Sequence, residues 1–479
     1  MATRNAPIGA PKPITRFTSG NIMFGKFRRL FFIGVGGAGM SGIAEILHNL
    51  GYQISGSDST PSEVTSYLRS LGVTVHDGHR ATNVADVDVV VISSAIHEDN
   101  PEVAEARKRG IPVIKRAEML GELMRLKFSI GVAGTHGKTT TTSMIGRIFR
   151  QADLHPTLIV GGIVAELGTG ATLGAGEYLI AEADEYDRSF LAMFPTMAVV
   201  LNIEPDHLDC YADLADLKNS FLTYINRVPF YGSAIVNADD PNLAELRPKF
   251  NRPHATFGFS TDADYRAVDI VMAPGRTTFS VYRKQELLGE MILRVPGRHN
   301  IANALAATAT ATELDIPFAT IADALRGFTG VGRRFEFIGE ANGITVIDDY
   351  AHHPTEIAAT LRTAKDVYGK RVIAVFQPHL FSRTRDFLVD FAKSLSIADK
   401  VILTDIYPAR EEPIPGITSD RIRQEAEKLG HTQFEYVGTK EHAIDAATKA
   451  AHSGDMIITI GAGSITHIKK QILERIEKS

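Results

Sequence analysis

Cysteine is nearly absent: Cys210 is the single thiol in 479 residues. No intrachain disulfide can form, and the natural reading is a cytoplasmic protein in a reducing compartment. Cys210 follows Pro205-Asp206-His207-Leu208-Asp209, and it reads there as a bland small residue more readily than as a nucleophile. A basic excess is also missing. Lys and Arg number 51 against 56 Asp and Glu, a formal charge of −5. That excludes the electrostatic footprint of general nucleic-acid binding, though not local basic pockets for small anions. No stretch approaches the roughly 20 apolar residues of a membrane helix, so no membrane insertion is expected. The first 27 residues are polar and lack the apolar core of a signal peptide. They read as a disordered tail. Solenoid repeats and low-complexity tracts are absent as well.

What remains is ordinary for globular domains: 44% hydrophobic and 22% charged residues. The length suits about three domains at roughly 100–200 residues each. Short apolar runs alternate with helical patterns, which predicts α/β units on parallel sheets. We divide the chain into residues 28–126, 127–332 and 333–479. The first and third blocks read as Rossmann-like domains. The second reads as a P-loop domain with a parallel sheet and, over 253–295, a small additional β-sheet. Predicted strands include Leu30–Ile33, Phe128–Ala133, Tyr178–Ala181, Met197–Leu201, Ile344–Ile347, Arg371–Phe376 and Met456–Ile460.

Gly34-Val35-Gly36-Gly37-Ala38-Gly39 follows a strand and opens a helix, the context of a dinucleotide turn. Glycines admit a diphosphate close to the backbone, and the helix N-terminus supplies amides and a positive dipole end. Asp58 lies 19 residues after Gly39, placed for a ribose hydroxyl. NAD is the simplest occupant, but any nucleotide diphosphate fits, as does a ligand-free tight turn.

Gly134-Thr135-His136-Gly137-Lys138-Thr139-Thr140 is a phosphate loop with an irregular front, because Val132 stands where the Walker spacing needs glycine. Lys138 offsets β/γ charge, and Thr139 offers a hydroxyl to Mg²⁺. Glu182-Ala183-Asp184-Glu185 ends the next strand, where a carboxylate can complete an oxygen set for Mg²⁺. Glu182 and Asp184 share a face if the strand continues. Asn202-Ile203-Glu204-Pro205-Asp206-His207 ends another strand, and His207 is a plausible metal ligand. In the third block, Asp348-Asp349-Tyr350-Ala351-His352-His353-Pro354-Thr355-Glu356 and Gln377-Pro378-His379-Leu380-Phe381-Ser382-Arg383 both sit at the ligand-binding edge of an α/β sheet. A transition-metal centre there is disfavoured, since adjacent histidines point apart. A polar substrate site fits better, with arginines holding phosphate or carboxylate. Asn300 and Asn303 share a helix face; capping accounts for Asn300 but not for both. Gly330-Val331-Gly332-Arg333-Arg334 reads as a hinge followed by a basic pair.

The ordered strings AGTHGKTTT, EADEYDRSF, NIEPDHLD, PGRHNIANALAA, GVGRRFE, DDYAHHPTE and QPHLFSRT resemble the Mur ligase family of peptidoglycan synthesis, from about residue 28 to the C-terminus. Within the family, FFIGVGGAGMSGIAEIL with ISGSDS and VVVISSAI looks like the members that add L-alanine. The resemblance implies a ligase using ATP and Mg²⁺ to join L-alanine to UDP-N-acetylmuramic acid through an acyl phosphate, as monomer or homodimer. The first domain would hold the UDP-sugar through Gly36, Gly37, Ala38, Gly39, Met40, Ser57, Asp58, Ser93 and Ser94. Gly134, Thr135, His136, Gly137, Lys138, Thr139 and Thr140 would hold ATP, with Asn300, Asn303, Arg333 and Asp349. Thr139, Glu182 and His207 would bind Mg²⁺. Lys138, His207, His352 and Arg383 would serve the chemistry, and Tyr350, His379 and Arg383 the amino acid. The third domain would swing about Gly330–Arg334 and exclude water.

Two departures stand out. No residue matches the carbamylated lysine of several Mur ligases, and the role is not carried onto Lys218. Leu380 stands where an arginine also occurs in the family. A tripeptide-recycling or poly-glutamate ligase, a nicotinamide dehydrogenase and a non-catalytic nucleotide switch are the competing readings. The first would need a different first domain. The second leaves the P-loop unexplained, and the third leaves the third-block clusters unexplained.

Overall fold

A computed structural model describes residues 27–93, 95–160, 171–206, 210–409 and 411–478. The expected N-terminal tail, Ser94 and His207 therefore lie outside the described residues, the tail apart from its last residue. The chain divides into two compact units, 1–116 and 117–479.

The first unit holds five parallel strands: β1 (Arg29–Ile33), β2 (Gln53–Asp58), β3 (Thr74–Asp77), β4 (Val89–Ile92) and β5 (Val113–Lys115), in the order β3-β2-β1-β4-β5. This is the doubly wound Rossmann order 3-2-1-4-5-6 without its sixth strand. Leu30, Phe31, Phe32 and Ile33 are fully buried, as a central parallel strand covered on both faces requires.

The second unit carries two sheets. The larger uses β6 (Phe128–Ala133), β7 (Thr157–Ile159), β8 (Ala171–Thr172), β9 (Tyr178–Glu182), β10 (Met197–Val200), β11 (Ser233–Asn237), β12 (His254–Gly258), β13 (Tyr265–Ala273), β14 (Arg276–Arg283) and β15 (Glu286–Leu293). Their order is β15-β14-β13-β12-β11-β10-β6-β9-β7-β8. The strands from β12 through β10, β6 and β9 to β7 run parallel, while β13-β14-β15 form an antiparallel meander. The small sheet expected over 253–295 is thus continuous with the parallel one through β12 and β13.

The other sheet holds β16 (Glu336–Ala341), β17 (Ile344–Asp349), β18 (Val372–Phe376), β19 (Lys400–Thr404), β20 (Phe434–Gly438) and β21 (Met456–Ile460), in the order β16-β17-β21-β18-β19-β20. It is parallel except for β16, which pairs antiparallel with β17. The antiparallel pairing follows from a short hairpin around Asn342 and Gly343, both in the left-handed region, which returns the chain alongside itself.

The topology concentrates loops where chemistry can happen. Strand β6 lies between β10 and β9, so the loops after all three share the C-terminal edge. The helix Lys138–Gln151 leaves β6 and packs on the helix Arg298–Thr312. Ala304, Ala307 and Ala311 are fully buried on the latter, and small side chains let the two backbones approach. Between the central and third sheets, Gly330, Arg333 and Phe335 all adopt positive φ. Such conformations strain a side-chain-bearing residue by about 1–3 kcal/mol each.

Candidate active site

The phosphate loop leaves β6 with Gly134 at φ 138° and reaches the helix through Gly137 at φ 86°. Neither position suits a side chain. A Cβ on Gly137 would meet Asn303 Oδ1 at 2.7 Å. The loop is laced to the segment after β10: Thr135 N donates to Asn202 O, and His136 N donates to Asn202 Oδ1 at 2.8 Å. Glu204 N donates to Thr135 Oγ1 at 2.9 Å.

Lys138 is folded back over the loop. Its ammonium donates to Gly134 O at 2.8 Å and to both oxygens of Glu185, at 2.9 and 2.7 Å. Burial acts to lower the lysine pKa, but the carboxylates of Glu185, Asp184 and Glu182 outweigh it and hold the ammonium above its usual range. Glu182 ends β9 beside Val132 of β6. The strand stops there, so Glu182 and Asp184 do not continue its alternation as the extended reading supposed. Asp184 Oδ1 accepts from Tyr186 N in a turn instead, and lies 4.0 Å from Lys138. Glu185, quoted in the motif but given no role, is the residue that grips the lysine.

A cavity of about 250 Å³ opens between the central and third sheets, lined by Gly137, Thr139 and Thr140 on one side and by Arg334, Phe335, Asp349 and Glu356 on the other. Asn300 and Asn303 contribute from the helix Arg298–Thr312. The helix is capped by Gly297, and Asn300 is its third residue. Capping therefore does not explain Asn300. Its Nδ2 donates to Pro296 O at 2.6 Å, and Asn303 Nδ2 donates to Asn300 Oδ1 at 3.3 Å.

The two arginines of the basic pair diverge. Arg334 lines the cavity and pairs with Glu356 at 3.2 Å. Arg333 turns into the third sheet, where it donates to Gly461 O at 2.6 Å. Asp349 accepts from Phe335 N and Ala351 N, both at 2.8 Å. Burial lifts its carboxyl to about 6, against the pull of Arg334.

Third-block residues close onto the loop after β10. Arg383 donates to Asp206 Oδ1 at 2.8 Å, with both side chains buried. His353 Nε2 lies 3.3 Å from Pro205 O, and Thr355 Oγ1 donates to Glu204 Oε2. Three consecutive residues, Glu204 to Asp206, thus each meet the third block. His136 lies 3.3 Å from Glu356 and 3.5 Å from Glu204. Burial lowers the His136 pKa, but these two carboxylates outweigh it and bring it to about 9. His352 goes the other way. Burial, reinforced by Arg383, pushes it down to about 3, so its imidazole is neutral. His379 stacks on Tyr407 at 5.7 Å between ring centres and meets His352 edge-on at 6.0 Å. Tyr350 lies under Arg333 and Arg334, whose guanidinium carbons are 4.7 and 5.1 Å from its ring centre. Lys218, set aside for the carbamylated role, is paired with Glu245.

In the first unit, Gly34 N and Val35 N donate to Ser57 O, and Gly36 N donates to Asp58 Oδ2 at 2.9 Å. Gly37 N donates to Gly34 O. Ala38, Gly39 and Met40 begin the helix Ala38–Asn49, with the Met40 side chain buried in the core. The Ser57 hydroxyl is turned inward and donates to buried Glu102 at 2.7 Å. Ser93 Oγ sits beside Gly34 and accepts from Ala95 N at 3.4 Å. The Arg116 guanidinium approaches Gly39 to 3.0 Å of where a Cβ would stand, a cation the motif did not reveal.

A P-loop whose lysine meets acidic strand ends, closed by a second α/β sheet over a cavity, defines an α/β nucleotide-binding enzyme. Three family models match in succession: the Mur ligase family catalytic domain over residues 29–128, the Mur ligase middle domain over 132–311 and the Mur ligase glutamate ligase domain over 333–463. The chain belongs to the Mur ligase family. It is 50% identical to the UDP-N-acetylmuramate–L-alanine ligase of Geobacter sp. strain M21, covering 95% of this chain and 99% of that one. Its fold matches the crystal structure of the UDP-N-acetylmuramate–alanine ligase of Thermotoga maritima with a TM-score of 0.78 and 29% identity, over 94% of this chain and 99% of the other. A murein peptide ligase from Psychrobacter arcticus matches with a TM-score of 0.68 at 25% identity, over 94% and 99%.

Proposed function

We propose that this chain is an ATP-dependent ligase that joins L-alanine to the lactyl carboxylate of UDP-N-acetylmuramic acid, in peptidoglycan precursor synthesis. The observation that carries this reading is the near full-length similarity to ligases of that name, on a chain whose P-loop lines a cavity between the central and third sheets. Two solved murein peptide ligases, the relatives on the side of the tripeptide-ligase alternative, have TM-scores of 0.68 and 0.59 against 0.78.

The reaction has two steps. A lactyl carboxylate oxygen attacks the γ-phosphorus of ATP, and ADP leaves. The neutral amine of L-alanine then attacks the acyl-phosphate carbonyl, phosphate departs with the bonding pair, and the nitrogen's proton passes to the departing phosphate. In our reading Lys138 exchanges Glu185 for phosphate oxygens and neutralises charge spread over the transferring group. Asn300, Asn303, Arg334 and Asp349 receive the nucleoside. Arg334 takes the part that the resemblance gave to Arg333, because Arg333 donates to Gly461 O. Tyr350, His379 and Arg383 form the amino-acid side. Neutral His352 orients polar groups there without adding charge. The first-domain turn holds the UDP-sugar diphosphate, with Arg116 as an added cation. Mg²⁺, when bound, would polarise the phosphates. The hydroxyl of Thr139, which lines the cavity, and the buried carboxylate of Glu182 are the hard oxygen donors it prefers. The Arg383–Asp206 pair and the contacts of Glu204 and Pro205 keep water from the acyl phosphate when the third block is closed.

The test is phosphate release from ATP with UDP-N-acetylmuramic acid and L-alanine, glycine, L-serine or no amino acid. Release that needs both the sugar and L-alanine supports the reading. Release with a tripeptide in place of the amino acid, and none with L-alanine, would replace it by the tripeptide ligase.

A further inference from the structure

His136, Glu204 and His353 come from three elements: the phosphate loop, the segment after β10, and the N-terminus of the helix Pro354–Tyr368. One ligand-type atom from each lies within 4.8 Å of the other two. The way each imidazole is held is more telling than the distance.

His136 turns Nδ1 toward Glu356 at 3.3 Å. Its Nε2 is buried and has no hydrogen-bond partner, and it points toward Glu204 Oε2 across 3.5 Å. His353 turns Nε2 toward Pro205 O at 3.3 Å. Its Nδ1 lies 3.7 Å from the same Glu204 oxygen and receives a long contact of 3.4 Å from Thr355 N. Metal-bound imidazoles almost always give their second nitrogen to a carboxylate or a carbonyl, which fixes the ring and its tautomer. Both histidines have that outer partner, one of each kind. Glu204 has one too, since Thr355 Oγ1 donates to it.

Two imidazole nitrogens and one carboxylate oxygen suit a borderline ion such as Zn²⁺, with an open position left for water. They do not suit Mg²⁺, which wants oxygen ligands. We propose that His136 Nε2, Glu204 and His353 Nδ1 form a site for a divalent transition-metal ion of the zinc class, separate from the Thr139 and Glu182 oxygen set. Binding displaces a proton from His136. Two ligands belong to the central block and one to the third, so the ion ties the two blocks in the closed arrangement. His136 and Glu204 also line the nucleotide cavity, so the tie sits where nucleotide exchange needs opening.

Cobalt is the probe, titrated into the full-length chain without nucleotide. The expected result is one Co²⁺ per chain, with the visible absorption of nitrogen-ligated cobalt, displaced by Zn²⁺. His353→Gln and Glu204→Gln should each weaken Co²⁺ binding by more than 10-fold, and Glu356→Gln by roughly 10-fold through the outer contact. Glu182→Gln should leave the cobalt spectrum in place. Equal affinity in His353→Gln and the unaltered chain would overturn the proposal, as would loss of the signal in Glu182→Gln. Anomalous diffraction at the zinc edge on crystals of the unaltered chain tests the same point without any variant. A peak among the three side chains supports the site, and peaks only elsewhere overturn it.

Discussion

Two glycine-rich turns follow a parallel strand and open a helix in this chain, and they are built in opposite ways. In the first, the amides of Gly34, Val35, Gly36 and Gly37 are consumed within the unit, by Ser57 O, the Asp58 carboxylate and Gly34 O. The turn carries no cation of its own, and the nearest guanidinium is that of Arg116. In the second, the loop carries Lys138, which grips Glu185, and a second sheet closes over it to form a cavity. On the proposed function, the first design would brace a backbone to receive a group that keeps its bonds, and the second would hold a cation among carboxylates, to be exchanged for phosphates that break theirs. The same motif class would then encode holding in one domain and transfer in another, and the difference lies in where the charge sits.

The largest expected effect breaks that contrast. Lys138→Ala should reduce ATP-dependent phosphate release on the order of 10³-fold or more, as for other charge-stabilising groups in phosphoryl transfer. UDP-sugar binding by the first unit, measured by calorimetry, should be unchanged. Near-normal turnover would remove the P-loop from the mechanism. Arg383→Ala comes next. It leaves Asp206 buried without its guanidinium, and breaking a buried pair typically costs about 3–5 kcal/mol. Closure should suffer, with kcat falling on the order of 10²-fold. Small-angle scattering with nucleotide bound should report an opened chain, and a compact one would show that this pair does not hold the blocks together. Gly137→Ala should follow, since φ 86° and an approach of 2.7 Å to Asn303 impose about 1–3 kcal/mol of strain. We expect roughly a 10-fold rise in KM for ATP with little change in UDP-sugar affinity.

How far the sequence carries this contrast depends on the kind of information each part needs. Strands such as β6 and β18 were legible because a strand buried on both faces reads as a continuous apolar run. β16 was not, because Glu336–Ala341 mixes charge and glycine at a sheet edge, and its antiparallel sense depends on a turn. Both glycine turns were legible from local spacing. The pairing partners were not. Nothing local separates Arg333 from Arg334, and the chain's direction after a glycine hinge decides which one lines the cavity. Likewise Glu185 lies three residues beyond a strand end that could have run on, which would have aimed Asp184 instead. The meeting of Glu204, Pro205 and Asp206 with residues some 150 to 180 positions later is a tertiary fact without a local signature. His207 and Ser94 lie outside the described residues, so their placement adds nothing to this comparison.

Asp349 sharpens the second turn's electrostatics by titration. Burial raises its carboxyl from an ordinary 3.8 to about 6. The folded chain therefore holds a proton in a window where the unfolded chain has released it. Between those values stability falls as pH rises, and above about 6 the penalty is constant. For binding, the ionised form is the better acceptor of a nucleoside hydroxyl. KM for ATP should rise several-fold as pH falls through about 6, and Asp349→Asn should flatten that dependence. A profile that stays sloped in the variant would assign the titration to another group.

The smallest effect concerns the first turn, and it asks whether a braced backbone suffices to hold a diphosphate. Arg116 comes within 3.0 Å of a Cβ position on Gly39, at the start of the helix Ala38–Asn49. Its guanidinium and the helix dipole both favour an anion there. If the glycine turn and dipole carry the binding alone, Arg116→Ala should leave UDP-sugar affinity within about twofold. If the cation contributes a charge-assisted hydrogen bond of about 1.5–3 kcal/mol, affinity should fall roughly 10- to 100-fold, and Arg116→Lys should recover part of it. We expect the second outcome, at the lower end, because four of the turn's own amides are already spent inside the unit. Gly36→Ala provides the control from the opposite direction. Its Cβ would stand 2.8 Å from Asp58 Oδ2 and disturb the brace while leaving the charge. A larger loss of UDP-sugar binding there than in Arg116→Ala would show that shape outweighs charge in the turn that holds, the reverse of what Lys138 does in the turn that transfers.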